Sequence, residues 1–325
     1  MTSTAPPRAR RMLTRRSLLV GVAGGALAGC ASGGRDGGAT GRLVTLDGAT
    51  AALALLLGPL QVGTASFLAL DPLLQAITQL QAGPVADVSG AGGGIDVERL
   101  AALRPDRLVG FRTSDTDPVL GGLAALHVVE RTGDHDADCR ALAAGMGVDA
   151  SALLDDTHRR AAELAARLRA GSPPTVSVLS PGLDGQSLYL LGAGTPAGTV
   201  VAALGLPRPA AQHGLTDPAT PFVPVSIERL AEHDADLVLL LTGPTADPAF
   251  LRDQPLWQRL GAVQGGRVVE VDAMRWATMS CALGTLWVLD DLAAVLLGEG
   301  SVVDGAASPA GLERLRGYRA RYATG

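Results

Sequence analysis

Six residues, Asp96-Val97-Glu98-Arg99-Leu100-Ala101, return 130 positions later as Ser226-Ile227-Glu228-Arg229-Leu230-Ala231. In each copy an Asp follows the Glu by eight residues (Asp106, Asp236), and a Leu-Val strand start comes directly after. Each copy reads as an N-cap, a short helix, a turn and a buried strand. Such an internal repeat points to two lobes built alike. Between the copies lies the longest helical pattern of the chain, from Ser151 to Ala170. Its apolar stripe is Leu153, Leu154, Ala161, Leu164, Ala165 and Leu168. Gly171 and the pair Pro173-Pro174 end it.

Short β-branched runs alternate with helical spacing through the rest. Leu43–Leu46, Leu108–Gly110, Val128–Glu130, Thr175–Leu179, Ser187–Leu191, Leu237–Leu241 and Arg267–Val271 read as strands, and Asp96–Leu103 and Ser226–Ala231 as helices. Alternation of this kind predicts an α/β layered fold with largely parallel sheets. The expected organisation is a first α/β lobe over 42–150, one bridging helix over 151–172, and a second α/β lobe with terminal helices over 173–325.

The first thirty residues belong to neither lobe. Five Arg (Arg8, Arg10, Arg11, Arg15, Arg16) precede an apolar stretch, Ser17 to Gly29, too short for a comfortable membrane span. Residues 1–29 therefore read as a secretory signal, and Arg15-Arg16 leaves the twin-arginine and general export routes both open. Leu27-Ala28-Gly29-Cys30 resembles a bacterial lipobox, which would place a lipid anchor on Cys30 outside the cytoplasmic membrane. Residues 30–41 then form a Gly-rich flexible linker.

All 27 basic residues are Arg. Beyond residue 30 there are 22 Arg against 32 Asp and Glu, a net charge of −10. Nucleic-acid binding runs on neutralising phosphates with basic side chains, so an acidic body argues against DNA or RNA as a partner. Nucleophile-elbow, Walker and HExxH motifs do not occur. Gly192-Ala193-Gly194-Thr195-Pro196-Ala197 fits a loose dinucleotide pattern but lies in mid-chain, where a Gly-lined strand-to-helix turn accounts for it. His135 among Asp134, Asp136 and Asp138 reads as a solvated acidic loop, and the spacing of the other His offers no metal site. Cys139 and Cys281 could be paired or isolated thiols.

Ile95–Gly110 resembles the first-lobe signature of ferric-siderophore and cobalamin-type solute-binding proteins of ABC importers, and Pro224–Leu241 its second-lobe counterpart. Pro255–Val268, then Asp272 with Trp276, and Leu289-Asp290-Asp291-Leu292, resemble the C-terminal motif of the iron-siderophore branch. The resemblance implies a class III periplasmic-binding-protein architecture: two Rossmann-like lobes bridged by one long helix, a cleft between them, and modest closure. It implies a monomeric, non-enzymatic lipoprotein that needs no cofactor. Its partners would be an iron chelate, the membrane through its anchor, and a permease dimer with its ATPase.

By the same resemblance, Glu98 and Glu228 would dock the two permease subunits. Ferric siderophores are bulky and often anionic, so aromatic faces and Arg donors are expected in the cleft. Phe67, Arg112, Tyr189, Arg275 and Trp276 are the candidates, and Trp257 is assigned to packing. Haem or cobalamin as cargo, an exported α/β enzyme, and an adhesion lipoprotein are the competing readings.

Overall fold

The alternating pattern folds into two five-stranded sheets joined by a single long helix. A computed structural model describes residues 41–65, 71–81, 83–90, 94–112, 118–218, 220–277 and 282–323. Residues 1–40, where the signal sequence, Cys30 and most of the linker are expected, lie outside the described residues, as do Phe67 and Cys281.

The first lobe runs β1 (Leu43–Thr45), α1 (Gly48–Leu57), β2 (Gln61–Thr64), α2 (Leu73–Leu80), β3 (Ala86–Asp87), α3 (Val97–Ala102), β4 (Arg107–Phe111), α4 (Pro118–Leu123), β5 (Ala125–Val129) and α5 (His135–Met146). Its sheet order is β3-β2-β1-β4-β5, and every pairing is parallel. After α6 (Ser151–Arg169), the second lobe opens with β6 (Val176–Pro181), β7 (Leu188–Leu191), α7 (Pro196–Ala203) and β8 (Phe222–Val225). It continues through β9 (Leu237–Thr242), α8 (Ala249–Arg252), α9 (Gly261–Gln264), β10 (Val268–Asp272), α10 (Ala273–Ala277), α11 (Ala282–Leu297) and α12 (Pro309–Tyr322).

The second sheet, ordered β10-β9-β6-β7-β8, departs from the parallel expectation on one side, where β7 runs antiparallel to both neighbours. Only residues 182–187 join β6 to β7. A parallel return needs a crossover of a dozen or more residues, so this connection can only be a hairpin. Strand β8 carries Pro224, which a sheet accepts at its edge, where β8 sits.

The repeated segment is structurally repeated. Val97, Glu98, Arg99 and Leu100 are half-buried, exposed, exposed and buried, and Ile227 to Leu230 show the same sequence of exposures. The recurrent Asp has a definite job. Asp106 accepts a hydrogen bond from the backbone N–H of Arg42, just ahead of β1 (2.9 Å), and Asp236 accepts one from Thr175, just ahead of β6 (2.9 Å). Each carboxylate thus fixes the start of its lobe's central strand against the next parallel strand. The helices differ. Asp96 caps α3 through the Arg99 N–H (2.9 Å), whereas Ser226 Oγ donates to the Glu228 carboxylate and residues Ile227–His233 wind as a 3-10 helix.

Helix α6 buries Leu153, Leu154, Thr157, Leu164, Ala165 and Leu168, with Ala161 partly covered. Its apolar face belongs to a core cluster that continues through both lobes, taking in Leu53 and Leu56 of α1, Trp276, Trp287 and Leu286 of the second lobe, and Leu315 of α12. Smaller clusters lie under the outer faces, around Leu100 and Leu108 in one lobe and Leu240 and Trp257 in the other. Helix α12 adds a second tie. Tyr318 donates to Asp290 of α11 (2.5 Å), Tyr322 to Asp156 of α6, and Arg319 to the Leu80 carbonyl at the end of α2. A core without a seam between the lobes resists hinge motion, because packed interiors are bistable rather than continuously deformable.

Candidate functional site

In open α/β sheets ligands collect outside the C-terminal strand ends, where the strand order reverses. In the first sheet that point lies between β1 and β4, and in the second between β6 and β9. The first is tightly pinned. Asp47 follows β1, caps α1 by accepting from the Thr50 N–H (2.8 Å), and accepts from the Phe111 N–H at the end of β4 (2.8 Å). Gly110 is required there, since a Cβ would stand 2.6 Å from Leu46 Cβ and 2.9 Å from Asp47 Oδ2.

The second switch point opens into a cavity of about 390 Å³. Ser180 and Pro181 at the end of β6, Thr245 after β9, Ala273 and Ala277 of α10, and Tyr189 and Phe222 from the antiparallel edge line it. Tyr189 and Phe222 meet edge to face, with centroids 6.5 Å apart and planes at 85°. Leu183, from the β6–β7 hairpin, completes the wall and is 71% exposed. None of the described residues that line this cavity carries a charge.

Arg112 follows β4, and its guanidinium pairs with the Glu130 carboxylate, both side chains being more than half exposed. Arg131, beyond β5, lies 3.7 Å above the Phe111 ring. Arg275 is 4% exposed and holds both oxygens of Asp71, at 2.7 and 2.6 Å. Asp71 leads into α2, so this ion pair joins the two lobes. Asp272, at the end of β10, is buried beside it. Burial pushes the Asp272 carboxyl up, and the nearby Arg275 charge works against that shift. Its Oδ1 accepts from the Met274 N–H (2.9 Å), while its Oδ2 has no partner among the described residues.

Trp276 stands apart from the cavity. Its ring is fully buried, and the indole N–H donates to Asp291 Oδ2 at 2.8 Å. Asp291 also accepts from Arg314 (2.7 Å) and the Val303 N–H (3.3 Å), yet burial pushes its carboxyl up to about 6. The cleft face expected of Trp276 is therefore absent; it is a core residue, like Trp257. Of the expected cleft residues that are described (Arg112, Tyr189, Arg275 and Trp276), only Tyr189 lines this cavity.

Two residues that the sequence reading passed over matter here. Phe222 could have been suspected from the scarcity of aromatics, and Asp71 has no local signal, because its partner lies 204 residues away.

Between the lobes lies a more polar cavity of about 570 Å³, bordered by Arg131, Thr132, His135, Asp138, Gly194 and Asp217. The acidic run around it serves local structure. Asp134 caps α5 through the Asp136 and Ala137 N–H groups, and Asp138 accepts from both the N–H and the hydroxyl of Thr132. Burial lowers the pKa of His135, with Asp136 and Asp138 opposing the shift. No cluster of three or more His, Cys, Asp or Glu among the described residues is placed to hold a metal ion. Gly192–Ala197 is a close-packed turn between β7 and α7, capped by Thr195. A Cβ on Gly198 would fall 1.8 Å from the Gly192 carbonyl oxygen. Cys139 is buried in α5.

Glu98 and Glu228 are exposed, one on each lobe. The Ser226 hydroxyl holds Glu228 below the usual carboxylate range.

Residues 148–274 match the family described as periplasmic binding protein. Among solved structures, the chain is similar to unliganded FhuD2 from Staphylococcus aureus, at 21% identity over 79% of this chain and 98% of that one (TM-score 0.64). It is similar to Staphylococcus aureus SirA, at 20% identity over 80% and 100% of the two chains (TM-score 0.62). It is similar as well to the siderophore periplasmic binding protein of the fuscachelin gene cluster of Thermobifida fusca, at 24% identity over 79% and 96% (TM-score 0.61). Further structures show FhuD2 with bound ferrioxamine B and SirA with staphyloferrin B. No curated protein matches the sequence.

Proposed function

We propose that this chain, which has the fold of the periplasmic binding proteins, is the solute-binding lipoprotein of an ABC importer and captures a ferric siderophore outside the cytoplasmic membrane. The observation that carries this reading is the apolar, aromatic-walled cavity at the switch point of the second sheet, where Tyr189 and Phe222 face open space. A bulky chelate is held by shape and apolar area with a few polar groups, and this wall offers both. The polar groups are the Ser180 and Thr245 hydroxyls, which now donate to the Pro181 carbonyl (3.4 Å) and Met274 Sδ (3.3 Å). Phe67, Arg112 and Arg275 remain proposed members of the ligand set, on the first lobe and at the lobe junction.

The chain makes and breaks no bond in this role. Its work is binding and delivery, and the continuous core with its two helical ties suits delivery by docking rather than by wide closure. Glu98 and Glu228, one exposed anion per lobe, are proposed to engage basic pockets on the two permease subunits, with Cys30 tethering the chain to the membrane. The ATPase then drives release into the permease.

Calorimetry of the chain from Ala31, titrated with iron-loaded and iron-free siderophores, tests the binding half. Saturable binding of a loaded chelate, weakened at least about tenfold by Tyr189→Ala, supports it. The docking half is tested in cells with radioactive iron. Glu98→Ala with Glu228→Ala should abolish uptake while leaving chelate affinity within about twofold of the parent. Unchanged uptake in that variant would remove the docking role.

A further inference from the structure

The described cavity wall is uncharged, and its larger faces, Pro181, Leu183, Tyr189 and Phe222, are apolar or aromatic. The cations that border the strand ends are committed elsewhere. Arg112 is balanced by Glu130, and Arg275 by Asp71, with Asp272 a second carboxylate beside it. Arg131 lies over Phe111 and shares its surroundings with Asp138 and Asp217. Arg112 and Glu130 sum to zero, as do Arg275 and Asp71. The segments 66–70, 91–93, 113–117 and 278–281 contain no Lys or Arg in their sequences, only the acids Asp115 and Asp117. The chain beyond residue 30 is strongly acidic as a whole.

Iron(III) chelates differ sharply in charge. Three hydroxamates each lose one proton and leave the complex neutral, or cationic where an ammonium is appended. Three catecholates each lose two protons and leave three negative charges, and hydroxycarboxylate chelates are also anionic. A polyanion entering an uncharged crevice loses its hydration without gaining a counter-charge, and meets a like-signed protein on the way. Drawing Arg112 or Arg275 toward it would strand Glu130 or Asp71 unpaired. Accepting the chain as a siderophore-binding protein, we infer that its cleft selects neutral or cationic iron(III) chelates of the hydroxamate class and rejects polyanionic ones. The aliphatic spacers between hydroxamates also suit the apolar wall.

The test is a charge series measured by calorimetry on the chain from Ala31. It uses ferrioxamine B, ferrichrome, iron(III)–staphyloferrin B and a synthetic iron(III) tris-catecholate. The inference expects the two hydroxamate chelates to bind at least about 100-fold more tightly than the two anions. Glu130→Gln, a surface change that releases Arg112, should narrow that gap at least about fivefold. Asp71→Asn, which releases Arg275, should do the same where the variant folds. Anionic chelates binding as tightly as hydroxamates, or a gap unmoved by Glu130→Gln, would overturn the charge selection and leave the siderophore role standing. Binding of none of the four would instead bring down the siderophore role itself.

Discussion

Replacing Arg275 with Met should strongly destabilise this protein. Arg275 is 4% exposed, Asp71 10% by side chain, and the pair joins the lobes. Met keeps the length and apolar stem of the side chain but removes the charge, so Asp71 and Asp272 are left as two neighbouring buried carboxylates. Breaking a buried pair from one side costs about 3–5 kcal/mol. In a chain of this size each kcal/mol lowers Tm by roughly 2 °C, so a fall of about 6–10 °C is expected at neutral pH. The pH dependence carries a sign. Burial already raises the folded pKa of Asp272, and Arg275 opposes that rise. Without Arg275 it rises further. A carboxylate with a raised folded pKa destabilises when ionised, so the variant's deficit should be largest at neutral pH. It should shrink as the pH falls and Asp272 binds its proton. Calorimetric melting of both proteins from pH 4.5 to 7.5, with Asp71→Asn completing a double-mutant cycle, measures this. A Tm within about 2 °C of the parent at neutral pH, or a deficit that grows on acidification, would refute the buried interlobe clamp.

Other outcomes follow from the same geometry. Asp291, pushed up to about 6 by burial, should make the Trp276 indole NMR signal titrate with a midpoint near 6. Its contribution to stability should improve by up to about 3 kcal/mol as pH falls from 7 to 4, a slope that Asp291→Asn removes. A signal flat from pH 4 to 8 would contradict this. Tyr318→Phe deletes a buried hydrogen bond to Asp290 and should cost about 1–2 kcal/mol in urea unfolding, with chelate affinity unchanged. Gly198→Ala forces a methyl group onto the Gly192 carbonyl and should cost about 3 kcal/mol or more, visible as a lower Tm or loss of soluble protein.

The fold was legible where its determinants are local. Periodicity and the Gly171–Pro174 stop placed α6 within a residue of its ends. The repeat pointed to two lobes through Asp106 and Asp236, whose carboxylates each hold the start of a neighbouring strand. Three short strands escaped notice. Gln61–Thr64 has no β-branched run, Ala86–Asp87 is two residues long, and Phe222–Val225 is interrupted by Pro224.

The site was only partly legible because its decisive pairings are long-range. Arg275 reads as a free cation until Asp71 is folded against it, and Trp276 as a ligand face until Asp291 takes its N–H. Tyr189 was a candidate because it falls at a lobe edge in a chain poor in aromatics, and it lines the described cavity. Which carboxylate balances Arg112 and Arg275 could not be read before folding, because Glu130 and Asp71 carry no local signal of the pairing.

The most direct test of the central claim is an iron anomalous-difference map from crystals of the chain from Ala31 grown with ferrioxamine B. The account predicts one strong peak between the lobes, beside Tyr189 and Phe222 and at the C-terminal ends of β6 and β9. A peak on the outer surface, or saturable binding in solution with no iron between the lobes, would contradict it.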